Sequence, residues 1–258
     1  MIKSVVLKIL YLLIFSVSFL NAQGVSDNGF YHKLKDYNLA VVINTDSITD
    51  DIGEKFLRPE ILGFMGENYQ RFYIHFTYFT KSDSNPYVYD VKGKTKVKDN
   101  ICNFTGTVKV ISAVYDDDPE MMDLTEFKAG IITSKIQIFE DKLQNGSGVI
   151  NGILITDVIF DDKGKLQYNA IMSVADGYCN NQFTGSWESY KTGIIKKCNW
   201  GDFRIPESDE LDGGTGAFTV SEEYVVYGWE SYRLLYCCGY ENPESIEATK
   251  KEFEHWWE

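Results

Sequence analysis

The sequence predicts an all-β protein: an antiparallel barrel, closed or nearly closed on itself and finished by a C-terminal helix. Three observations carry that prediction. Between Tyr69 and Tyr190, apolar and polar residues alternate with a period of two, the pattern of strands with one buried face and one wet face. Turn residues punctuate the runs, and Asn145-Gly146 and Asp162-Lys163-Gly164 supply the positive-φ positions that tight hairpins require. Gly93, Gly106, Gly152 and Gly185 each fall inside a run, on its apolar side. A glycine there weakens a strand unless the chain bends or another backbone comes close. Repeated on the inner face of successive strands, such glycines let a sheet coil until its edges meet. The competing architecture is a sandwich whose glycines only make room for large neighbours.

The elements follow in order. Lys3 and Lys8 flank or interrupt an apolar run from Val5 to Leu20, and Asn21-Ala22-Gln23 offers a small residue at a cut site. This is the pattern of a secretory signal over residues 1–22, too short and without the flank of a retained membrane span. The expected mature chain is a single domain, 23–258, in the periplasm or outside the cell, with no transmembrane span. Asn38 to Ile43 reads as a strand, and Asp46 to Pro59 as a polar crossing with a short helical turn. Tyr87, Tyr89, Val91, Gly93, Thr95 and Val97 share one strand face, against Val88, Asp90 and three lysines on the other. Phe104, Val108, Val110 and Val114 continue the inner face, as do Ile132, Ile136 and Ile138, and then Leu166 to Val174. Asn199 to Gly216 reads as a long loop; Ala217 to Tyr227 and Tyr232 to Tyr236 read as further strands. Asn242-Pro243-Glu244 starts a helix over 243–257, with proline in the first turn and acid at the positive end of the dipole. Ile246, Phe253, Trp256 and Trp257 form its apolar stripe against the barrel.

Charge excludes one class of partner. The chain carries a formal charge of -13, and loss of the leader leaves 38 acids against 23 bases, which phosphate backbones and anionic lipid repel. Nucleic acid is therefore not an expected partner. The mature chain holds Cys102, Cys179, Cys198, Cys237 and Cys238, with no paired C-x-x-C knuckles, so no zinc site is expected. Spacing leaves the disulfide pairing open; Cys179 with Cys198 is favoured because both flank one candidate hairpin.

Catalytic motifs are missing. Gly93-Lys94-Thr95 lacks the first glycine of a phosphate loop and lies in a strand; Gly213 to Gly216 follows no strong strand. Neither H-E-x-x-H nor G-x-S-x-G occurs. Asp116-Asp117-Asp118 and the acids Asp209, Glu210 and Asp212 lack calcium-loop spacing. No catalytic residue, metal or cofactor is assigned. His75 and Tyr73 share one face of their strand. They point outward if Phe72, Ile74 and Phe76 face the core, and line the lumen as a polar pair if that strand is flipped.

Gly185-Ser186-Trp187, followed by Trp200, Asp202 and Arg204, resembles the Gly-x-Trp and arginine of the calycins, the lipocalin group of small barrels. The resemblance implies a closed barrel with Arg204 packed over Trp187 as a cation–π plug at one end, and a ligand held within. Trp200, in a loop with Asp202, is read either as part of the core or plug or as a surface anchor at the rim. The chain also resembles secreted proteins of Bacteroidetes. The functional expectation is a non-enzymatic binding protein for a small apolar molecule or a glycan, through Tyr73, His75, Trp187, Trp200, Asp202 and Arg204. A secreted hydrolase using carboxylates of the 199–216 loop and a structural envelope component are the alternatives.

Overall fold

A computed structural model describes residues 29–50, 52–116, 127–237 and 243–258, so the expected signal segment lies outside the described residues. Eight strands form the barrel: β3 (Leu62–Met65), β4 (Gln70–Lys81), β5 (Val88–Val97), β6 (Asn100–Tyr115), β7 (Lys128–Glu140), β8 (Gly148–Phe160), β10 (Asn180–Ser189) and β11 (Ile195–Asp202). Each pairs antiparallel with the next in the chain. Pairing of β11 with β3, and of β10 with the first half of β8, closes the ring. The last residues of β8 pair instead with the short β9 (Leu166–Tyr168), and a small hairpin of β1 (Ser47–Thr49) and β2 (Lys55–Leu57) lies outside the wall. The closed eight-stranded meander fits the calycin-type barrel that the sequence suggested.

The four glycines hold the inner wall. Gly152 and Gly185 face each other across β8 and β10. A Cβ on Gly152 would stand 2.7 Å from the Gly185 Cα and 2.5 Å from the Phe183 ring, and one on Gly93 2.6 Å from the Phe104 ring. The rings of Phe104 and Phe183 occupy the space those side chains would need.

The lumen is solid. Trp200 stacks on Phe183 with ring centroids 3.5 Å apart, and Phe76 packs edge-on against Phe104, within one continuous buried cluster. One mouth is stoppered by the segment before β1, a 3-10 turn (Tyr31–Asp36) and the helical turn α1 (Ala40–Ile43), which bury Phe30, Leu34, Leu39 and Val42. The Leu39 amide donates to the Tyr89 hydroxyl at 3.0 Å. At the other mouth the buried Glu140 carboxylate accepts hydrogen bonds from Thr95, the Gly148 amide (2.7 Å) and the Trp187 indole (2.8 Å), tying β5, β8 and β10 to the end of β7.

Several elements depart from expectation. In place of the expected strand over Asn38 to Ile43 the chain turns at Leu39 into the helical Ala40–Ile43, because Leu39, Val42 and Ile43 must share one face of the stopper. Asp46 to Pro59 holds the β1–β2 hairpin. The 166–174 run pairs only to Tyr168; Val174 is 96% exposed. Asn199 to Asp202 belongs to β11, so the long loop begins at Phe203. Ala217 to Tyr236 contains a 3-10 turn (Glu222–Tyr227) and helix α2 (Glu230–Cys237), and the last helix, α3 (Pro243–Glu252), ends short of 257. This C-terminal part packs Ile205, Phe218, Val220 and Trp229 onto the outward faces of Leu62 and Phe64. Strand β3 is thus buried on both sides, and its residues LGFM show no alternation.

Candidate functional site

The covering of β3 and β4 leaves a cavity of about 370 Å³ on the outside of the barrel. Its walls are Leu62 and Arg71 of the barrel, the 173–178 and 203–218 loops, and α2 and α3. That volume lies at the small end of ligand pockets.

Arg71 anchors the floor. It is 3% exposed, yet its guanidinium is satisfied: Nη1 and Nη2 donate to the two carboxylate oxygens of Glu252 at 2.8 and 2.6 Å, and the ring of Tyr73 lies 4.5 Å away. Ser231 also donates to Glu252. A buried arginine with a bidentate carboxylate fixes α3 to the barrel wall. Arg204 is similarly occupied, by Asp212 at 3.1 Å and by the carbonyls of Gly214 (2.9 Å) and Gly216 (2.8 Å). Tyr178 and Phe203 meet edge to face at 4.9 Å on the barrel side.

Two lining acids are differently placed. Glu60 and Asp176 form no hydrogen bond or ion pair among the described residues. Burial raises the Glu60 carboxyl above the usual carboxylate range, partly opposed by Arg58. Glu60 also borders a second hollow of about 490 Å³, lined by Arg58, His75 and Trp257.

Of the residues expected to bind a ligand, only Arg204 lines the first cavity. Tyr73 and His75 point outward, because Phe72, Ile74 and Phe76 fill the core, and the C-terminal tail covers them. Trp257 stacks on His75 at 3.7 Å and Trp256 lies 5.8 Å from Tyr73. Burial lowers His75 to about 4, with Arg58 adding to the effect, and raises Tyr73 to about 12. Trp200 is a core residue rather than a rim residue. Asp202 is fully buried beneath the stopper, where its Oδ2 accepts from Tyr168 (3.0 Å) and Asn181 (2.7 Å), with Arg58 at 3.5 Å. Burial raises its pKa too.

The Arg204–Trp187 plug does not form. Asn180 pairs with Asp202 and Trp187 with Lys196, so Arg204 and Trp187 stand at opposite ends of one hairpin. Trp187 is held by Glu140 instead. Cys179 and Cys198 are free thiols. With Asn180 opposite Asp202, Cys198 lies four residues down the partner strand, roughly 13 Å away and outside bridging range. Cys238 lies outside the described residues.

The loop carboxylates Glu207, Asp209, Glu210 and Asp212 are each engaged by a neighbouring side chain. Asp209 sits with Lys197 (3.7 Å), Glu210 accepts from Tyr224 (2.9 Å), and Asp212 holds Arg204. None of the three lines the cavity. No cluster of three metal-ligating side chains occurs among the described residues, and no helix there is long and apolar enough to cross a membrane.

Sequence reasoning missed Glu60, Arg71, Asp176, Tyr178 and Glu252. Arg71 carried a usable signal, being a charged residue at the head of a strongly apolar strand. Its partner Glu252 lies 181 positions away, a separation no local pattern spans. Comparison with protein-family models, with curated proteins and with solved structures finds no match.

Proposed function

We propose that the protein is an exported, non-enzymatic binding protein whose ligand sits in the outer-wall cavity and not in the barrel. The observation that carries this reading is the cavity itself: preformed, mostly apolar and aromatic, with a few polar groups held by packing. The lumen is occupied by core side chains, among them the stacked rings of Phe183 and Trp200. The secretory pattern of residues 1–22 supports a periplasmic or extracellular setting, and the calycin-type barrel supplies a rigid wall on which the covering loops form a pocket. A small apolar molecule or a glycan unit suits its size.

Native mass spectrometry of protein purified from its own host tests this reading. The expected result is a bound small molecule that is lost from an Ala175→Trp variant, whose added ring fills the cavity. A wild-type spectrum free of adduct, or an adduct kept by the filled variant, overturns the assignment.

A further inference from the structure

We infer that the cavity takes a small organic cation, an ammonium head on a short apolar body, with Glu60 and Asp176 as its counter-charges. The inference rests on the binding reading above and adds the chemical class. Five acidic or basic side chains line the space: Glu60, Arg71, Asp176, Arg204 and Glu252. Arg71 is neutralised by Glu252 through two hydrogen bonds. Arg204 is neutralised by Asp212 and further occupied by two backbone carbonyls, and its Nε is buried without a hydrogen-bond partner among the described residues. Neither guanidinium has charge left for an anion. The charge left for a ligand is that of Glu60 and Asp176: neither has an ion-pair or hydrogen-bond partner among the described residues, and Arg58 only partly offsets Glu60.

The walls agree with that charge. Tyr178, Phe203 and Tyr232 line the same cavity together with the more exposed Tyr236 and Phe253, and aromatic ring faces attract cations. An anionic ligand would have to enter beside Glu60 and Asp176 or displace Glu252 from Arg71. The acidity of the whole chain, -13, further concentrates cations at its surface.

Choline and its neutral isostere 3,3-dimethylbutan-1-ol separate charge from shape. Titration calorimetry on the intact protein at low salt is expected to show choline binding at least tenfold tighter than the alcohol. Glu60→Gln and Asp176→Asn should each weaken choline several-fold and leave the alcohol unchanged; neither should lower the melting temperature, and Glu60→Gln should raise it because burial disfavours that charge. Added salt should weaken choline alone. Equal affinity for the two probes, no binding of choline, or tighter binding of a neutral monosaccharide such as glucose overturns the cationic class. The host-purified spectrum does not depend on ligand charge. A neutral adduct there retains the cavity as a site while this inference fails, and a clean spectrum removes both.

Discussion

Replacing Gly185 by alanine tests whether the inner-wall glycines close the barrel. The new Cβ would meet the Asn151 carbonyl and stand 2.5 Å from the Phe183 ring. The carbonyl belongs to the paired strand β8, so no rotamer change clears it and the two strands must separate. Overpacking of this kind costs about 1–3 kcal/mol, and a backbone obstacle puts the site in the upper half of that range. Stiffening of the unfolded chain returns about 0.4–1 kcal/mol, leaving a net loss near 2 kcal/mol, or roughly 4–8 °C in Tm for a domain of this size. Gly152→Ala should cost a similar amount. Because the two glycines face each other, the double variant should lose less than the sum, since one widening of the gap serves both. Ser186→Ala, one residue away on the opposite face, should stay within about 0.5 kcal/mol. Calorimetric melting of the four variants decides the matter. A Gly185→Ala protein as stable as wild type, or two fully additive alanines, would refute the close approach as the reason for glycine.

Other perturbations have equally definite outcomes. Glu140→Ala strands three donors at the far mouth, from Thr95, Gly148 and Trp187, and should cost about 3 kcal/mol or more in urea denaturation, at about 1–3 kcal/mol per unsatisfied buried group; a loss under 1 kcal/mol would show that water replaces it without penalty. Glu252→Gln leaves Arg71 buried without its counter-charge, so α3 should become a site of rapid limited proteolysis while the barrel strands stay protected. Burial, aided by Asp116, pushes Asp157 up to about 6. A raised carboxyl favours the folded state when protonated, so its stabilising contribution is complete below the unfolded value near 3.9 and is lost as pH rises through about 6. Asp157→Asn should therefore flatten the decline in stability between those values and gain up to about 3 kcal/mol at pH 7; an unchanged slope would contradict the burial. Cys198, a fully buried thiol, should resist iodoacetamide in the native protein and react only on unfolding, which peptide mapping would show.

The barrel was legible because its cause is local and repeated. A period of two places Tyr89, Val91 and Thr95 inside whatever follows, and the four glycines fall on that same face. The bulge between Val110 and Ser112 is where the arithmetic slips: it turns Ala113 inward in place of Val114. The helical pieces were misread for a related reason. The apolar residues of 39–43 and 217–236 serve packing against surfaces formed elsewhere in the chain, so their spacing resembles a strand until the partner surface is known. The cavity was least legible. It exists because Leu62 and Phe64 need a cover, and that cover comes from residues 205–232. Trp200 and Asp202 drew attention through unusual composition, yet the fold spends both on its own interior, as rare residue types in a strand most often are spent.

The stopper sets the order of assembly. Phe30 packs against Phe160, and the Val42 carbonyl accepts from Asn181, 139 positions later. The portion synthesised early has its seat built from strands made much later, so it must wait, unseated, until the ring has joined. Loop closure over such distances is slow. Refolding should therefore show two phases, a faster one as the wall forms and a slower one as the Tyr89 hydroxyl acquires its amide partner from Leu39.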